Sequence, residues 1–214
     1  MDIVNWFELG VGAVAIAAGT VYGFCKLIKG KGSMLLKEKS QQLNFPDSCF
    51  WNAHTRIHET LTELRVNTNC ARAQLVQFHN SGEFLDGISM KKLSLTHESL
   101  EKSVSSEMGV KKDLLLSMCI DGLNLLMQDV PTLYITDSLD DSWCKHLLLN
   151  SNVVSFSFLP LRRHNQIIGY VMCQWCSWAK TDEINEEAIQ EHIEEARNLV
   201  EIQLDQETRS KDER

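Results

Sequence analysis

Cysteine and histidine supply the first candidates for chemistry in this 214-residue chain. Cys173 and Cys176 stand at the spacing of half a structural zinc site or of a dithiol redox motif. A zinc site wants a second close pair, which the chain lacks. A thioredoxin-type motif wants a helix start after a strand, and Ile167–Trp175 reads as a strand interior, so both cysteines are expected in the core. His54 and His58 lie one helical turn apart, a spacing that can hold a metal, but no third ligand accompanies them. His54 also borders an apolar stripe, so packing or interface duty is expected of it. The polar run His79-Asn80-Ser81-Gly82-Glu83, with Asp86 and Thr96-His97-Glu98, is denser than a hairpin turn requires. No pair in it makes a recognised catalytic arrangement, and Asn and Gly there satisfy ordinary turn chemistry. Phosphate-binding Gly-rich loops, a Gly-x-Ser-x-Gly elbow and a zincin helix are all missing. The expectation is a protein that is not an enzyme, with no cofactor that these residues identify.

The composition, 43% hydrophobic and 23% charged, is that of a globular protein. A net charge of -8 argues against a generic nucleic-acid surface. Seven cysteines, an odd number mostly set in apolar runs, fit reduced thiols in a cytosolic compartment.

The elements that position these residues divide the chain into segments. Residues 1–8 are a flank, and Leu9 to Ile28 has the length and apolarity of a transmembrane helix, with no charge between Leu9 and Cys25. Five lysines follow it (Lys26, Lys29, Lys31, Lys37, Lys39), so the positive-inside rule places the C-terminal domain in the cytoplasm, at an inner or plasma membrane. Gly19 and Gly23, extended by Ala15, form a small-residue ridge that lets two such helices approach, and a homodimer is expected. Residues 29–45 read as a linker, 46–205 as one domain and 206–214 as a polar tail that frays.

Within the domain a helix begins near Pro46, with Phe50, Ala53, Ile57, Leu61 and Leu64 as its apolar stripe. Ala73–His79 reads as a strand turning at Asn80-Ser81-Gly82, with a return strand over Phe84–Leu95 broken near Gly87. Val110–Gln128 reads as a helix, and Asp140-Asp141-Ser142-Trp143 precedes another short helix that runs through Leu149. A terminal helix after Thr181 buries Ala188, Ile189, Ile193, Ala196, Val200 and Leu204.

Two β-rich runs, Val153–Leu161 and Ile167–Trp175, flank the segment Arg162–Gln166, where Asn165 tolerates the left-handed conformation of a hairpin loop. Alternation puts Val154, Phe156 and Phe158 on one face, and Ser155, Ser157 and Leu159 on the other. Ser155…Leu159-Pro160-Leu161, the turn, Ile167-Ile168-Gly169 and the following helix resemble the end of a sensor-type GAF domain. Leu133-Tyr134-Ile135-Thr136-Asp137 resembles the strand-then-Asp segment that precedes that hairpin. The resemblance covers about Phe50 to Leu204. It implies an α+β fold, a GAF-like antiparallel sheet with helices on both faces, here preceded by a single transmembrane helix. It also implies a pocket on the sheet face opposite the terminal helices, with Ser155 and Ser157 or their neighbouring-strand partners as its floor. His79, Asn80, His97 and Asp137 are the rim candidates. The function so implied is a membrane-tethered cytoplasmic sensory or regulatory domain that binds a small molecule or a partner protein. The alternative is a structural or interaction scaffold without a ligand, such as a viral membrane or lysis accessory.

Overall fold

Two hairpins joined along one seam make the sheet. The computed structural model describes residues 48–83, 87 and 89–212. β1 (Arg72–Glu83) pairs antiparallel with β2 (Ser89–Leu100), and β5 (Ser155–Arg163) with β6 (Gln166–Trp175). The short strands β3 (Leu114–Leu115) and β4 (Tyr134–Ile135) flank these pairs, and the order is β3-β2-β1-β6-β5-β4. The described residues thus form an α+β fold around a six-stranded antiparallel sheet. The β5–β6 turn is made by His164 and Asn165, both at positive φ (47° and 66°), the geometry that a two-residue loop requires. Pro160 lies beyond Phe156, where β4 has ended, so its missing donor leaves the β4–β5 ladder intact. On the seam, Gly169 pairs with Gln77, and a Cβ at Gly169 would run into the carbonyl oxygen of Val76. Only glycine allows the two backbones that approach.

Among the described residues five helices surround the sheet: α1 (Ser48–Asn67), α2 (Ile120–Leu126), α3 (Trp143–Asn150), α4 (Trp178–Asp182) and α5 (Glu186–Asp212). α1 and α5 pack together on one face. Their stripes Ala53, Ile57, Leu61, Leu64 and Ile189, Ile193, Ala196, Val200, Leu204 are all buried, as the 3.6 period implies. With Leu75, Leu159, Leu161, Val171, Cys173 and Trp175 from the sheet they form the main core. Each such aliphatic side chain contributes about 1.5–3 kcal/mol of burial. The opposite face carries two smaller clusters, one around Phe156, Phe158 and Leu148, the other around Val76, Leu93 and Leu95. Helices therefore lie on both faces of the sheet.

Several boundaries differ from the sequence reading. β1 runs through Asn80 to Glu83, so Asn80 and Gly82 extend the strand, and the return strand starts at Ser89 and ends at Leu100. Residues 110–119 are not helical. Asp113 takes a positive φ of 56°, Leu114 and Leu115 pair with β2, and a 3-10 turn (Leu116–Cys119) leads into the helix at Ile120. Leu114, Leu115 and Met118 mimic helical spacing while serving a strand and a turn. The terminal helix continues past Asp205 to Asp212. Leu9–Ile28 lies outside the described residues, and among the described residues no helix is long and apolar enough to cross a membrane.

Candidate functional site

The sheet face away from α1 and α5 holds a cavity of about 290 Å³. Its floor is Phe156 and Phe158 of β5 with Tyr170 and Met172 of β6. α2 and α3 roof it through Leu123, Leu126, Leu147 and Leu148, and Asp121, Asp140 and Ser142 lie at its polar margin. The floor exists because alternate residues of a strand point to opposite faces, and the pairs Phe158↔Met172 and Pro160↔Tyr170 bring the β5 and β6 rings side by side. Phe158 and Tyr170 meet edge to face at 5.8 Å between centroids. Burial pushes the Tyr170 phenol up, so it stays a neutral hydroxyl.

Beside the cavity lies a buried polar cluster. Lys111, whose side chain also lines the cavity, pairs with Glu107 at 2.6 Å, one helical turn's spacing away in sequence. The Lys111 ammonium also donates to Gln74 Oε1 at 3.1 Å. Gln74 Nε2 donates to Glu107 Oε2 at 2.5 Å and to Glu98 Oε1 at 2.8 Å. Ser106 donates to the other Glu98 oxygen at 2.6 Å. Gln174 joins Gln74 to Arg72 through bonds of 3.2 Å each. All of these side chains except Ser106 are buried. Burial raises the Glu107 carboxyl, but the charge and hydrogen bond of Lys111 outweigh it and hold it below the usual carboxylate range. At Lys111 the balance runs the other way, burial pulling the ammonium below its ordinary value against the attraction of Glu107. With bonds from both Lys111 and Gln74 onto the carboxylate, the charged pair is the state near neutral pH.

The six residues expected to form the site do not converge. Ser155 and Ser157 are buried on the helix side of β5, where Ser155 Oγ meets Thr181 Oγ1 at 2.8 Å. His97 also faces that side and pairs with His54 (2.7 Å, Nδ1 to Nε2). His79 lies in the second half of β1, against Ser94 Oγ at 2.9 Å and Asp113 at 3.6 Å. Asn80 is exposed and accepts from Lys91, while exposed Asp137 offers only its backbone oxygen, to Lys145. None of the six lines the cavity. The expected face is the observed one, but its floor is the alternate set of β5 residues, one position along from the serines. His58 is exposed and does not join His54 as a ligand pair. Among the described residues no three potential ligands gather for a metal. Cys70, Cys119, Cys144, Cys173 and Cys176 are unbridged; Cys173 is a core strand residue as expected, whereas Cys176 lies past the end of β6, half-buried against Arg72.

An open antiparallel sheet thus carries paired long helices on one face and a cavity under short helices on the other, an α+β architecture. A far-red cyanobacteriochrome photoreceptor has this fold, with a TM-score of 0.52 and 14% identity over 84% of this chain and 98% of that one. The phycoerythrobilin-bound GAF domain of a cyanobacterial phytochrome (TM-score 0.49, 14% identity, 74% and 94% covered) and the PixJ GAF domain of Thermosynechococcus elongatus (0.48, 12%, 80% and 96%) are more distant in shape. The fold is GAF-like. No protein-family model matches the chain, and no curated protein matches it.

Proposed function

We propose that the chain is a sensory module that binds a compact, largely apolar small molecule in the cavity beneath α2 and α3. The observation that carries this reading is the cavity itself: about 290 Å³, floored by aromatic rings, with one buried cation in its wall. Ligand sites commonly combine such apolar linings with a few placed polar groups, at volumes from about 300 Å³ upward. An ammonium has three donors, and Glu107 and Gln74 engage two of those of Lys111, so a ligand acceptor is the natural partner of the third. A scaffold packed solid by its own side chains accounts less well for this space. The photoreceptor that shares the fold supports a sensory role. We expect Leu147→Trp to weaken binding of an apolar dye such as anilinonaphthalene sulfonate by about tenfold or more, since the indole occupies the cavity. Unchanged dye binding, together with no small molecule released from the purified protein on denaturation, sinks the ligand reading.

The same proposal includes the tether. The charge-free run from Leu9 to Cys25 and the lysines after it support a single membrane span with the domain in the cytoplasm. Gly19 and Gly23 support a homodimer through that span. In intact cells the full chain should resist carbonate extraction and escape labelling of Cys144 and Cys176 by an impermeant thiol reagent, with a denatured sample controlling for burial. Replacing both glycines by leucine should weaken its cross-linking. External labelling overturns the topology, and unchanged cross-linking removes the span from the dimer contact.

A further inference from the structure

The cavity wall carries two facing thiols that ligand binding does not call on. Cys119 ends the 3-10 turn before α2, Cys144 is the second residue of α3, and both line the cavity. They share one apolar cluster, and the 3-10 turn and α3 that carry them pack against each other. Gly122 lies close against the pair, since a Cβ there would stand 3.4 Å from Cys144 Sγ. We propose that Cys119 and Cys144 close to a reversible disulfide on reaction with an organic hydroperoxide whose apolar tail enters the cavity. This rests on the reading of the cavity as a ligand site.

The two sulfurs have different roles. The hydrogen bond from Cys119, helped by the Gly122 backbone, pulls the Cys144 thiol to about 7 despite burial. The same bond and burial push the Cys119 thiol up, so it keeps its proton. A thiolate is the nucleophilic form, so Cys144 attacks and Cys119 resolves. In the first step Cys144 Sγ attacks the terminal oxygen of the hydroperoxide. The S–O bond forms, the O–O bond breaks, and the alkoxide leaves and takes a proton to become an alcohol. Two electrons pass from sulfur to the peroxide, and Cys144 becomes a sulfenic acid. In the second step Cys119 Sγ attacks that sulfur, the S–S bond forms, the S–O bond breaks, and hydroxide leaves with the Cys119 proton as water. An added thiol reverses the bridge by exchange. Cys70 and Cys173 also touch, but both are buried beneath α1 and α5, away from the cavity.

The test uses the reduced full chain, treated with cumene hydroperoxide or hydrogen peroxide, alkylated and mapped by mass spectrometry. A single linked pair, Cys119 with Cys144, is expected, forming faster as the pH rises through about 7 and faster with cumene hydroperoxide than with hydrogen peroxide. Cys144→Ser should slow thiol loss by about tenfold or more, and Cys119→Ser should stop at a dimedone-reactive sulfenic acid on Cys144. Thermal unfolding of both serine variants checks that they fold. No bridge, a bridge between other cysteines, or an unchanged rate in Cys144→Ser overturns the proposal. Dye binding is measured on the same reduced samples: a dye-binding protein without the bridge loses this proposal and keeps the cavity as a ligand site. A bridge that forms with no dye binding and no preference for the organic peroxide overturns the part assigned to the apolar tail and the ligand reading with it.

Discussion

Replacing Lys111 with alanine is expected to lower the unfolding free energy by about 3–5 kcal/mol in urea at pH 7. Lys111 and Glu107 are each only 3% exposed, and their charged atoms stand 2.6 Å apart. Removing the ammonium leaves a buried carboxylate without its counter-charge, held only by neutral donors such as the Gln74 amide. Two ions of this kind add little as a pair beyond an apolar substitute, but one without the other is costly. The double variant Lys111→Met with Glu107→Gln should therefore recover much of the loss. A cost below about 1 kcal/mol for Lys111→Ala would place the pair with ordinary surface ion pairs and remove the argument. The pH dependence has a definite sign. Glu107 is held below its usual value of 4.5, so its contribution is complete above that pH and is lost as the pH falls through the lowered value. Stability curves measured between pH 6 and the acid limit should flatten in Glu107→Gln.

Trp175→Ala is expected to cost a similar amount, about 3–5 kcal/mol. Trp175 is the largest fully buried side chain, and its indole Nε1 donates to Thr68 O at 3.2 Å, just past the end of α1. The side chain thus fills the main core and ties β6 to the residue that follows α1. Trp175→Phe keeps much of the volume but leaves the Thr68 carbonyl without its partner, a loss of about 1–3 kcal/mol. The order wild type, Phe, Ala in thermal midpoint checks the assignment. A Phe variant as stable as wild type shows that the hydrogen bond adds nothing net.

The parts of the fold that were legible in the sequence are those with a long, regular signal. The stripes of α1 and α5 repeat over several turns, and the β5–β6 hairpin joins strict alternation to an asparagine that accepts positive φ. The stretch before α2 misled because Leu114, Leu115 and Met118 keep helical spacing, while the left-handed Asp113 and the pairing of Leu114 with Leu93 decide otherwise. The cavity floor lies one residue along β5 from the serines for a related reason. Alternation separates the serines from the phenylalanines of β5 but does not say which set faces the long helices. The small serines fit under closely packed helices and Thr181, and the rings are left to floor the cavity. The buried cluster is assembled from positions up to 102 residues apart, as in the Arg72–Gln174 bond. Its one local trace was a glutamine inside each of two central strand runs, where an apolar residue would ordinarily stand.

The unequal division of the core across the sheet has a consequence for motion. One large cluster joins α1 and α5 to the central strands, whereas α2 and α3 are held over the cavity by two small ones. Regions with few buried apolar contacts open at a fraction of the global unfolding cost. The roof of the cavity should therefore exchange its amide hydrogens sooner than the β1–β6 seam and the long helices beneath it. A guest that holds the roof down would protect those amides first.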